Sequence, residues 1–335
     1  MKKQNSDPAL LLGVGNDYTP LLSEIEEVNN IPVSIVVLTY NRTVPLEKTL
    51  VGLLHQNYPI DLLEVIITDD GGNEDVLAVI REFSKKLNIK YVWHPDVGFT
   101  PGAARNNGIA IAKNEFIILL DVDMYPGRDL VSEYVMYHKI IQNVVLIGPR
   151  KYIDLNHITL AELMEDSCLV ENLPEVMTQN DMASRVKEKK SVDWRLEIFA
   201  KTDLLKQDPL PFKVFASGNV AFSKSLFEKV GGFDEGFKNW GLEDAELAFR
   251  FFNRGLYMVP VFSAWAYHQE PENYINETNR KAGHEISKEY FAELCPYFRH
   301  YSSRSDKDDF LVPKLSIIIS VSNAKQTTGE CIESI

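Results

Sequence analysis

The chain has 335 residues, a formal net charge of −13, 45% hydrophobic residues and 25% charged residues. This length suffices for one large domain or two smaller ones with a sizeable core, and the composition is ordinary for a globular protein. The acidic balance argues against nucleic acid as a partner, because nucleic acid requires a basic surface. A small anionic ligand is not excluded, since a bound cation can reverse the local field.

The three cysteines are few and scattered, at Cys168, Cys295 and Cys331. They suggest neither a disulfide framework nor a zinc site, which fits a reducing compartment. The apolar run at residues 9–12 is too short for a signal peptide core. No stretch of about 18 apolar residues predicts a membrane-spanning helix. We expect a cytoplasmic location, with peripheral association at the inner face of the membrane left open.

Strands and helices alternate from residue 31 onward. Runs rich in β-branched and aliphatic residues predict strands, and apolar residues at helical spacing predict helices. The second helix has Asn73 as its predicted N-cap, with two acids in its first turn. This alternation predicts an α/β fold with a mostly parallel, Rossmann-like central sheet flanked by helices. The predicted strands cover 33–40, 63–70, 89–94 and 115–121, and the predicted helices 46–56, 73–87 and 102–112.

Polar loops follow all four predicted strands. They read "TYNR" at 39–42, "TDDGG" at 68–72, "HPDVGFTPGAARNN" at 94–107 and "DVDMYPG" at 121–127. Ligands of parallel sheets bind beyond the carboxyl ends of the strands. Four strand ends with the same chemistry therefore predict a ligand site at this edge.

Asp121 and Asp123 directly follow the buried strand "FIILLD". Such a pair is either a solvated turn or part of a metal site. Two neighbouring carboxylates repel each other unless a cation or a proton intervenes. A divalent ion bridging them to a diphosphate would relieve that repulsion and stabilise a departing anion.

The alternation weakens after about residue 150. Residues 215–271 are dense in glycine, aromatic and acidic residues, and residues 300–312 have the polar composition of a linker. "VSIVVLTYN" at 33–41 returns as "LSIIISVSN" at 315–323, each with a proline just upstream. We expect residues 313–335 to be the start of a truncated second module of the same kind.

The motifs "VSIVVLTYNR", "VIITDDGG", "GAARNNGIAIA" and "FIILLDVDMYP" resemble the inverting family 2 glycosyltransferases of the GT-A fold. "GGFDEGFKNWGLEDAELAFR" resembles the C-terminal segment of galactosyltransferases, polypeptide N-acetylgalactosaminyltransferases and chondroitin-type polymerases. The resemblance covers roughly two thirds of the chain. It implies an N-terminal extension at 1–30 and a GT-A domain at 31–299. This domain has a nucleotide-binding half at 31–130 and an acceptor-side half with a mixed subregion at 150–299.

The resemblance also implies a metal-dependent enzyme that transfers sugar from a UDP-sugar to a glycan or glycolipid. Asp123 would ligate the metal, with Asp121 at the ribose or a metal-bound water and His268 closing the shell. Carboxylate and imidazole ligands suit Mn²⁺ better than Mg²⁺. The uracil and ribose would be held by Thr39, Asn41 and one of Asp69 or Asp70.

Further site residues follow from helix chemistry and from the resemblance. Arg105 and Asn106 lie near a helix N-terminus, where an anion can bind; a surface salt bridge is the alternative for Arg105. Gly218 and Asn219 match a segment that touches the donor sugar in the resembling enzymes, although strand and helix formation could also explain the glycine. Trp240 is either a stacking platform for a sugar or a core residue.

Glu243 and Asp244 determine the predicted chemistry. Acids in a first helical turn often only complement the helix dipole. In the inverting enzymes that the chain resembles, the aspartate of this pair is the general base, whereas the retaining enzymes have asparagine there. The resemblance therefore implies inversion, with Asp244 as base and Glu243 bound to the donor or acceptor sugar.

Three other classes of protein are alternatives to this interpretation of the motifs. A nucleotidyltransferase would need a basic, glycine-rich phosphate loop after the first strand, and "TYNRTVP" is not one. A dinucleotide-dependent oxidoreductase is disfavoured because "GVG" at 13–15 follows no strand and lacks the third glycine. A catalytically inactive glycan-binding module of the same fold remains the main alternative, although every candidate catalytic residue is present.

Overall fold

A seven-stranded mixed sheet forms the centre of the described chain. The computed structural model describes residues 15–22, 29–141, 143–176, 193–269 and 280–295. All of these residues belong to one compact unit, Met1–Pro296. The predicted linker at 300–312 and the predicted module start at 313–335 lie outside the described residues.

The central sheet has the strand order β3-β2-β1-β4-β8-β6-β9, and a second sheet has the order β5-β10-β7. Strands β1 to β4 are mutually parallel, whereas β8 runs antiparallel to β4 and β6. The prediction of a mostly parallel sheet with a mixed second part is confirmed. The strands are β1 Val33–Thr39, β2 Leu63–Asp69, β3 Asn88–Trp93, β4 Phe116–Asp121, β5 Met124–Pro126, β6 Val144–Ile147, β7 Arg150–Ile153, β8 Asn219–Ser223, β9 Tyr257–Pro260 and β10 Ala266–Gln269.

Helices connect the strands of this sheet. In the described ranges no helix is both long enough and apolar enough to cross a bilayer. The α-helices are α1 Thr43–Leu54, α2 Val76–Phe83, α3 Pro101–Ile111, α4 Leu130–Ile140, α5 Leu160–Glu165, α6 Arg195–Lys201, α7 Lys224–Val230, α8 Glu243–Asn253 and α9 Arg280–Leu294, and the short 3₁₀ helices are Thr19–Leu21, Ile60–Leu62, Val170–Asn172 and Pro211–Val214.

The sequence pattern located the first four strands and three helices to within a few residues. Strands β1, β2 and β4 are almost fully buried, as expected for continuous apolar runs covered on both faces. The predicted N-cap of α2 was wrong. Asp75 is the cap, accepting a hydrogen bond from the Ala78 N–H at 3.0 Å. Asn73 instead donates its N–H to Asn41 Oδ1 at 2.7 Å, which stabilises the preceding loop.

Both predicted halves of the domain contribute to the central sheet, since β8 pairs with β4 and β9 with β6. Part of the predicted N-terminal extension also packs into the core. Asn16 is fully buried and bonds to backbone groups of Leu205 and Met258, and Tyr18 is 4% exposed. The described residues 15–18 are therefore integrated with the domain.

The sheet brings the predicted ligand residues to one edge. Thr39 pairs in register with Asp69, and Asp121 pairs with Leu38, so the ends of β1, β2 and β4 lie side by side. Strand β8 runs the other way, and its first residue, Asn219, pairs with Leu120. Gly218, which precedes β8, therefore lies at the same edge as Asp121.

Candidate active site

Arg105 is a buried side chain at the centre of a cluster of three acids, of which Glu243 is buried and Asp121 and Asp244 are partly exposed. Helix α3 carries this side chain, which is 5% exposed. Its Nη2 donates to Asp121 Oδ1 at 2.9 Å, and its Nη1 lies 3.5 Å from Glu243 Oε1 and 3.6 Å from Asp244 Oδ1. One guanidinium therefore links an acid at the end of β4 to two acids in the first turn of α8.

Three carboxylates around one guanidinium leave an excess of negative charge. Burial lowers the pKa of Arg105, but attraction to the three acids outweighs that effect and raises it. Burial and the charge of Asp244 raise the pKa of Glu243 to about 8, although Arg105 opposes the shift. Burial also raises the pKa of Asp121. The raised pKa favours the protonated form of Glu243, which can donate a hydrogen bond.

The raised pKa of Glu243 predicts a pH-dependent stability. A carboxyl whose pKa rises on folding, here from 4.5 to about 8, stabilises the fold fully below pH 4.5, and this contribution is lost as the pH rises through 8. From pH 6 to pH 9, without metal or nucleotide, we expect Glu243→Gln to lose less stability than the wild type, by about 1–3 kcal/mol. Urea unfolding at the two pH values measures this difference.

Glu165→Gln is the matched control for this measurement, because Glu165 is an exposed residue of α5. Its loss of stability between the two pH values should equal that of the wild type. A loss of stability in Glu243→Gln equal to that of the wild type would show that Glu243 does not titrate between pH 6 and pH 9.

Asp244 is held by Ser217 as well as by Arg105. The Ser217 N–H donates to Asp244 Oδ2 at 3.2 Å, and the Ser217 hydroxyl donates to Asp244 Oδ1. Leu242 and Gly241 adopt left-handed backbone conformations just before α8, with φ of 72° and 92°. This turn places both acids at the very start of the helix. The sequence pattern did not identify Ser217, although the segment "ASGN" contains it.

Asp123 and His268 lie together on the other side of the turn that follows β4. Strand β10 pairs with β5, with His268 opposite Met124, which brings His268 Nε2 to 3.7 Å from Asp123 Oδ2. Arg42 Nη2 also lies 3.1 Å from Asp123 Oδ2. The turn itself is fixed by the Thr49 hydroxyl, which donates to the Val122 carbonyl at 2.7 Å.

These residues fit a divalent ion in part. Among the described residues no three His, Cys, Asp or Glu side chains form a group that could hold a metal by themselves. Asp123 and His268 provide an adjacent carboxylate and imidazole, a donor pair that suits Mn²⁺. Asp121, the third predicted ligand, is paired with Arg105. The protein donors therefore fit a metal whose remaining ligands come from a bound diphosphate and water.

The predicted nucleotide residues surround the ends of β1 and β2. Thr39 is 1% exposed, and its hydroxyl has no hydrogen-bond partner among the described residues. Asn41, with φ of 49°, accepts the N–H groups of Asn73 and Glu74 through Oδ1. Asp69 accepts the Gly72 N–H at 2.8 Å and the Tyr91 hydroxyl at 3.0 Å.

Asp70 makes the most internal contacts of this group. Its two carboxylate oxygens accept the Thr100 N–H at 3.0 Å and the Thr100 hydroxyl at 2.6 Å, and His94 Nε2 lies 3.2 Å from Oδ1. Burial raises the pKa of Asp70, although the two hydrogen bonds from Thr100 oppose this shift. Asp70 therefore connects the loop after β2 to the segment leading into α3.

Two predicted ligand residues form hydrogen bonds within the fold. Asn106 bonds to the backbone N–H and carbonyl of Phe233 and to Glu235. Asn219 is 1% exposed; it donates to the carbonyls of Pro149 and Ala264 and accepts from the Tyr134 hydroxyl. These contacts use both side-chain N–H groups of each amide and one lone pair of each Oδ1, and a ligand contact of Asn106 or Asn219 stays a prediction.

Gly218 borders the cluster, whereas Trp240 lies beside α9. A Cβ atom on Gly218 would lie 2.7 Å from Asp121 Oδ2, so only glycine fits there without displacing the carboxylate. Trp240 is half-buried and its ring lies 6.0 Å from that of His284 on α9. The partly exposed ring leaves a stacking role open.

The chain matches two family models. The model of glycosyl transferase family 2 matches residues 34–231. A second model, described as the N-terminal domain of galactosyltransferase, matches residues 205–267 and so includes Glu243 and Asp244. Because the first match covers more than half of the chain, the chain belongs to glycosyl transferase family 2, a family of sugar-transferring enzymes.

Characterised relatives are similar over most of the chain. It is 42% identical over 311 residues to the hyaluronan synthase of Pasteurella multocida, covering 92% of this chain and 32% of that protein. It is 41% identical over 302 residues to the chondroitin synthase of Escherichia coli, covering 90% of this chain and 44% of that protein. The chain therefore spans less than half the length of these relatives.

Solved structures confirm the predicted GT-A fold. A mannosyltransferase from Pyrobaculum calidifontis, in complex with GDP-Man and Mn²⁺, superposes with a TM-score of 0.52 at 16% identity, covering 86% of this chain and 70% of that one. Residues 1–349 of S. aureus TarS, in complex with UDP, give a TM-score of 0.51 at 17% identity, covering 81% and 72%.

Proposed function

We propose that this domain is an inverting, metal-dependent glycosyltransferase acting in polysaccharide or glycoconjugate synthesis. It moves a sugar from a UDP-sugar to a hydroxyl of a glycan or glycolipid. The observation that carries this proposal is the Arg105 cluster, which brings Asp121 at the ligand edge of the sheet within one side chain of Glu243 and Asp244. Donor-side and acceptor-side acids are thus close enough to act on one bond.

Asp123 and His268 are the residues that would hold the divalent ion, with Asp121 beside them. When bound, such an ion supplies positive charge that stabilises a departing diphosphate. Thr39, Asn41 and Asp69 or Asp70 line the place for the uracil and ribose, because they follow strands at the same edge. Arg105 supports transfer by balancing the charge of the acids, in place of the diphosphate contact expected from its helix position.

Asp244 is the proposed general base. Its carboxylate takes the proton of the acceptor hydroxyl, whose oxygen forms a bond to the anomeric carbon while the carbon–oxygen bond to the diphosphate breaks and its electron pair leaves with UDP. Attack from the face opposite the nucleotide inverts the anomeric centre. Glu243, whose raised pKa favours its protonated form, would donate a hydrogen bond to a sugar hydroxyl or carbonyl.

The test is UDP release with Mn²⁺ and each of five UDP-sugars, carrying galactose, N-acetylgalactosamine, N-acetylglucosamine, glucose or glucuronate. Oligosaccharides of chondroitin and hyaluronan serve as acceptors, because the similar synthases are named for these polymers. We expect release that depends on the acceptor, and a product whose anomeric configuration, read by NMR, is opposite to that of the donor. Retained configuration would contradict inversion. Nucleotide binding with no release from any donor would indicate an inactive binding module.

Asp123→Asn should abolish metal-dependent nucleotide binding. For the wild type, Mn²⁺ and UDP at 100 times the dissociation constant should stabilise the fold by about 2.7 kcal/mol. Thermal unfolding with and without Mn²⁺ and UDP measures this effect, which we expect to be nearly absent in the variant. Asp61→Asn is the control, because this exposed residue precedes β2 at the opposite end of the sheet. Equal stabilisation of both variants would exclude Asp123 from the metal site.

A further inference from the structure

We infer that Ser217 and Gly218 form a positioning turn that sets the base Asp244 against the donor-side carboxylate Asp121, and that Asp244 Oδ2 is the oxygen that accepts the proton. This inference rests on the proposed function, since it requires Asp244 to be the base. We call residues 217–219 the positioning turn. The positioning turn contacts Asp244 of α8 on one side and Asp121 of β4 on the other.

On the acceptor side, the positioning turn donates a hydrogen bond to each carboxylate oxygen of Asp244. Ser217 is fully buried, its hydroxyl donates to Oδ1 and its N–H donates to Oδ2 at 3.2 Å. Asp244 Oδ1 also lies 3.6 Å from Arg105 Nη1. Among the described residues, Oδ1 thus faces a hydroxyl and a guanidinium, whereas Oδ2 faces one backbone N–H. A carboxylate oxygen has about two lone-pair sites, so Oδ2 is the better placed to take a proton.

On the donor side, the same turn fixes Asp121. The Gly218 carbonyl accepts the Asp121 N–H at 3.3 Å. The Cα of Gly218 lies so close to the Asp121 carboxylate that a Cβ would be 2.7 Å from Oδ2. Consecutive residues of one turn therefore contact both acids.

The third residue, Asn219, holds the turn in place. Its side chain bonds to the Pro149 and Ala264 carbonyls and to the Tyr134 hydroxyl, all from buried positions. Its backbone begins β8, which pairs with both β4 and β6. A turn anchored by side chain and sheet together is rigid enough to hold catalytic groups in a defined geometry.

Substitutions should separate the two contacts of the positioning turn. Ser217→Ala removes the hydroxyl bond to a charged group, and we expect kcat to fall by about 10- to 100-fold. The KM for the donor and the thermal stabilisation by Mn²⁺ and UDP should stay close to those of the wild type. Ser217→Cys, which keeps the volume but is a weak donor, should match Ser217→Ala, and Ser217→Thr should restore most of the kcat. Gly218→Ala should instead reduce the stabilisation by Mn²⁺ and UDP, because it displaces Asp121.

Ser132→Ala on the exposed face of α4 is the control for loss of a serine hydroxyl. Wild-type kcat in both Ser217→Ala and Ser217→Cys would overturn the inference while leaving the proposed function intact. A joint loss of kcat and nucleotide binding in Ser217→Cys would also overturn it, since Ser217 would then act through the donor site or the fold. If Ser217→Ala does not fold, the comparison of kcat between Ser217→Cys and Ser217→Thr tests the inference in its place. A wild-type protein without turnover on any donor would overturn the proposed function and this inference together.

Discussion

Replacing Asp244 with asparagine should lower kcat by about 10²–10⁴-fold, the usual contribution of a general base. The amide cannot take a proton from the acceptor hydroxyl, yet it is nearly the same size as the carboxylate. Nucleotide binding should be preserved, because the proposed metal residues belong to other elements: Asp123 directly precedes β5 and His268 lies on β10, whereas Asp244 lies on α8. Initial rates of UDP release and calorimetry with Mn²⁺ and UDP measure the two effects.

Glu243→Gln provides the comparison for this variant. Because its raised pKa favours the protonated form of Glu243, the neutral amide preserves the hydrogen-bonding capacity of that form and should cost less activity than Asp244→Asn. An Asp244→Asn protein with full turnover would refute the assignment of the base. A greater loss of kcat in Glu243→Gln than in Asp244→Asn would assign the role of general base to Glu243.

The second large effect is expected for stability when Arg105 is replaced by glutamine. Removing one partner of a buried ion pair costs about 3–5 kcal/mol, because the remaining charges are left without compensation. Here the carboxylates of Asp121 and Asp244 lose their charged partner, and Glu243 loses a guanidinium that lies 3.5 Å away. We expect a loss of free energy of unfolding in this range, measured by urea denaturation at pH 7. Arg105→Lys keeps the charge but lacks the fork that spans Asp121 and Glu243, so its loss should be intermediate.

Lys201→Gln tests whether the loss of stability depends on the burial of the ion pair. Lys201 pairs with Glu197 at 2.6 Å on the exposed face of α6, where an ion pair contributes at most about 1 kcal/mol. If Arg105→Gln were as stable as Lys201→Gln, the acids would be protonated or hydrated without the arginine, and the cluster would not depend on it.

The sequence was informative wherever a local pattern decides the structure. Apolar runs such as 63–69 form strands because both faces of a parallel sheet are covered. Asp121, Asp69 and Thr39 were predicted to meet, because parallel strands place their carboxyl ends at the same edge. The position of Asp244 in a first helical turn also followed from the local sequence.

The remaining features depend on contacts between distant parts of the chain. Arg105 was predicted to bind an anion at a helix N-terminus, but its closest partners are acids at positions 121, 243 and 244. No sequence periodicity predicts the contact between Ser217 and Asp244. This contact depends on where α8 begins, and the left-handed turn at Gly241 and Leu242 determines that position. Asn106 and Asn219 have the residue type of ligands, yet tertiary hydrogen bonds use their amides within the fold.

The antiparallel strand β8 also constrains how the domain can be divided. It comes from residues 219–223, yet it covers β4 along Ile117 to Leu120. A fragment that stopped near residue 150 would contain Thr39, Asp69 and Asp121 but would expose β4 as an apolar sheet edge, a template for aggregation. The parts of the domain before and after residue 150 therefore share one sheet, and we expect that neither part folds as an independent unit.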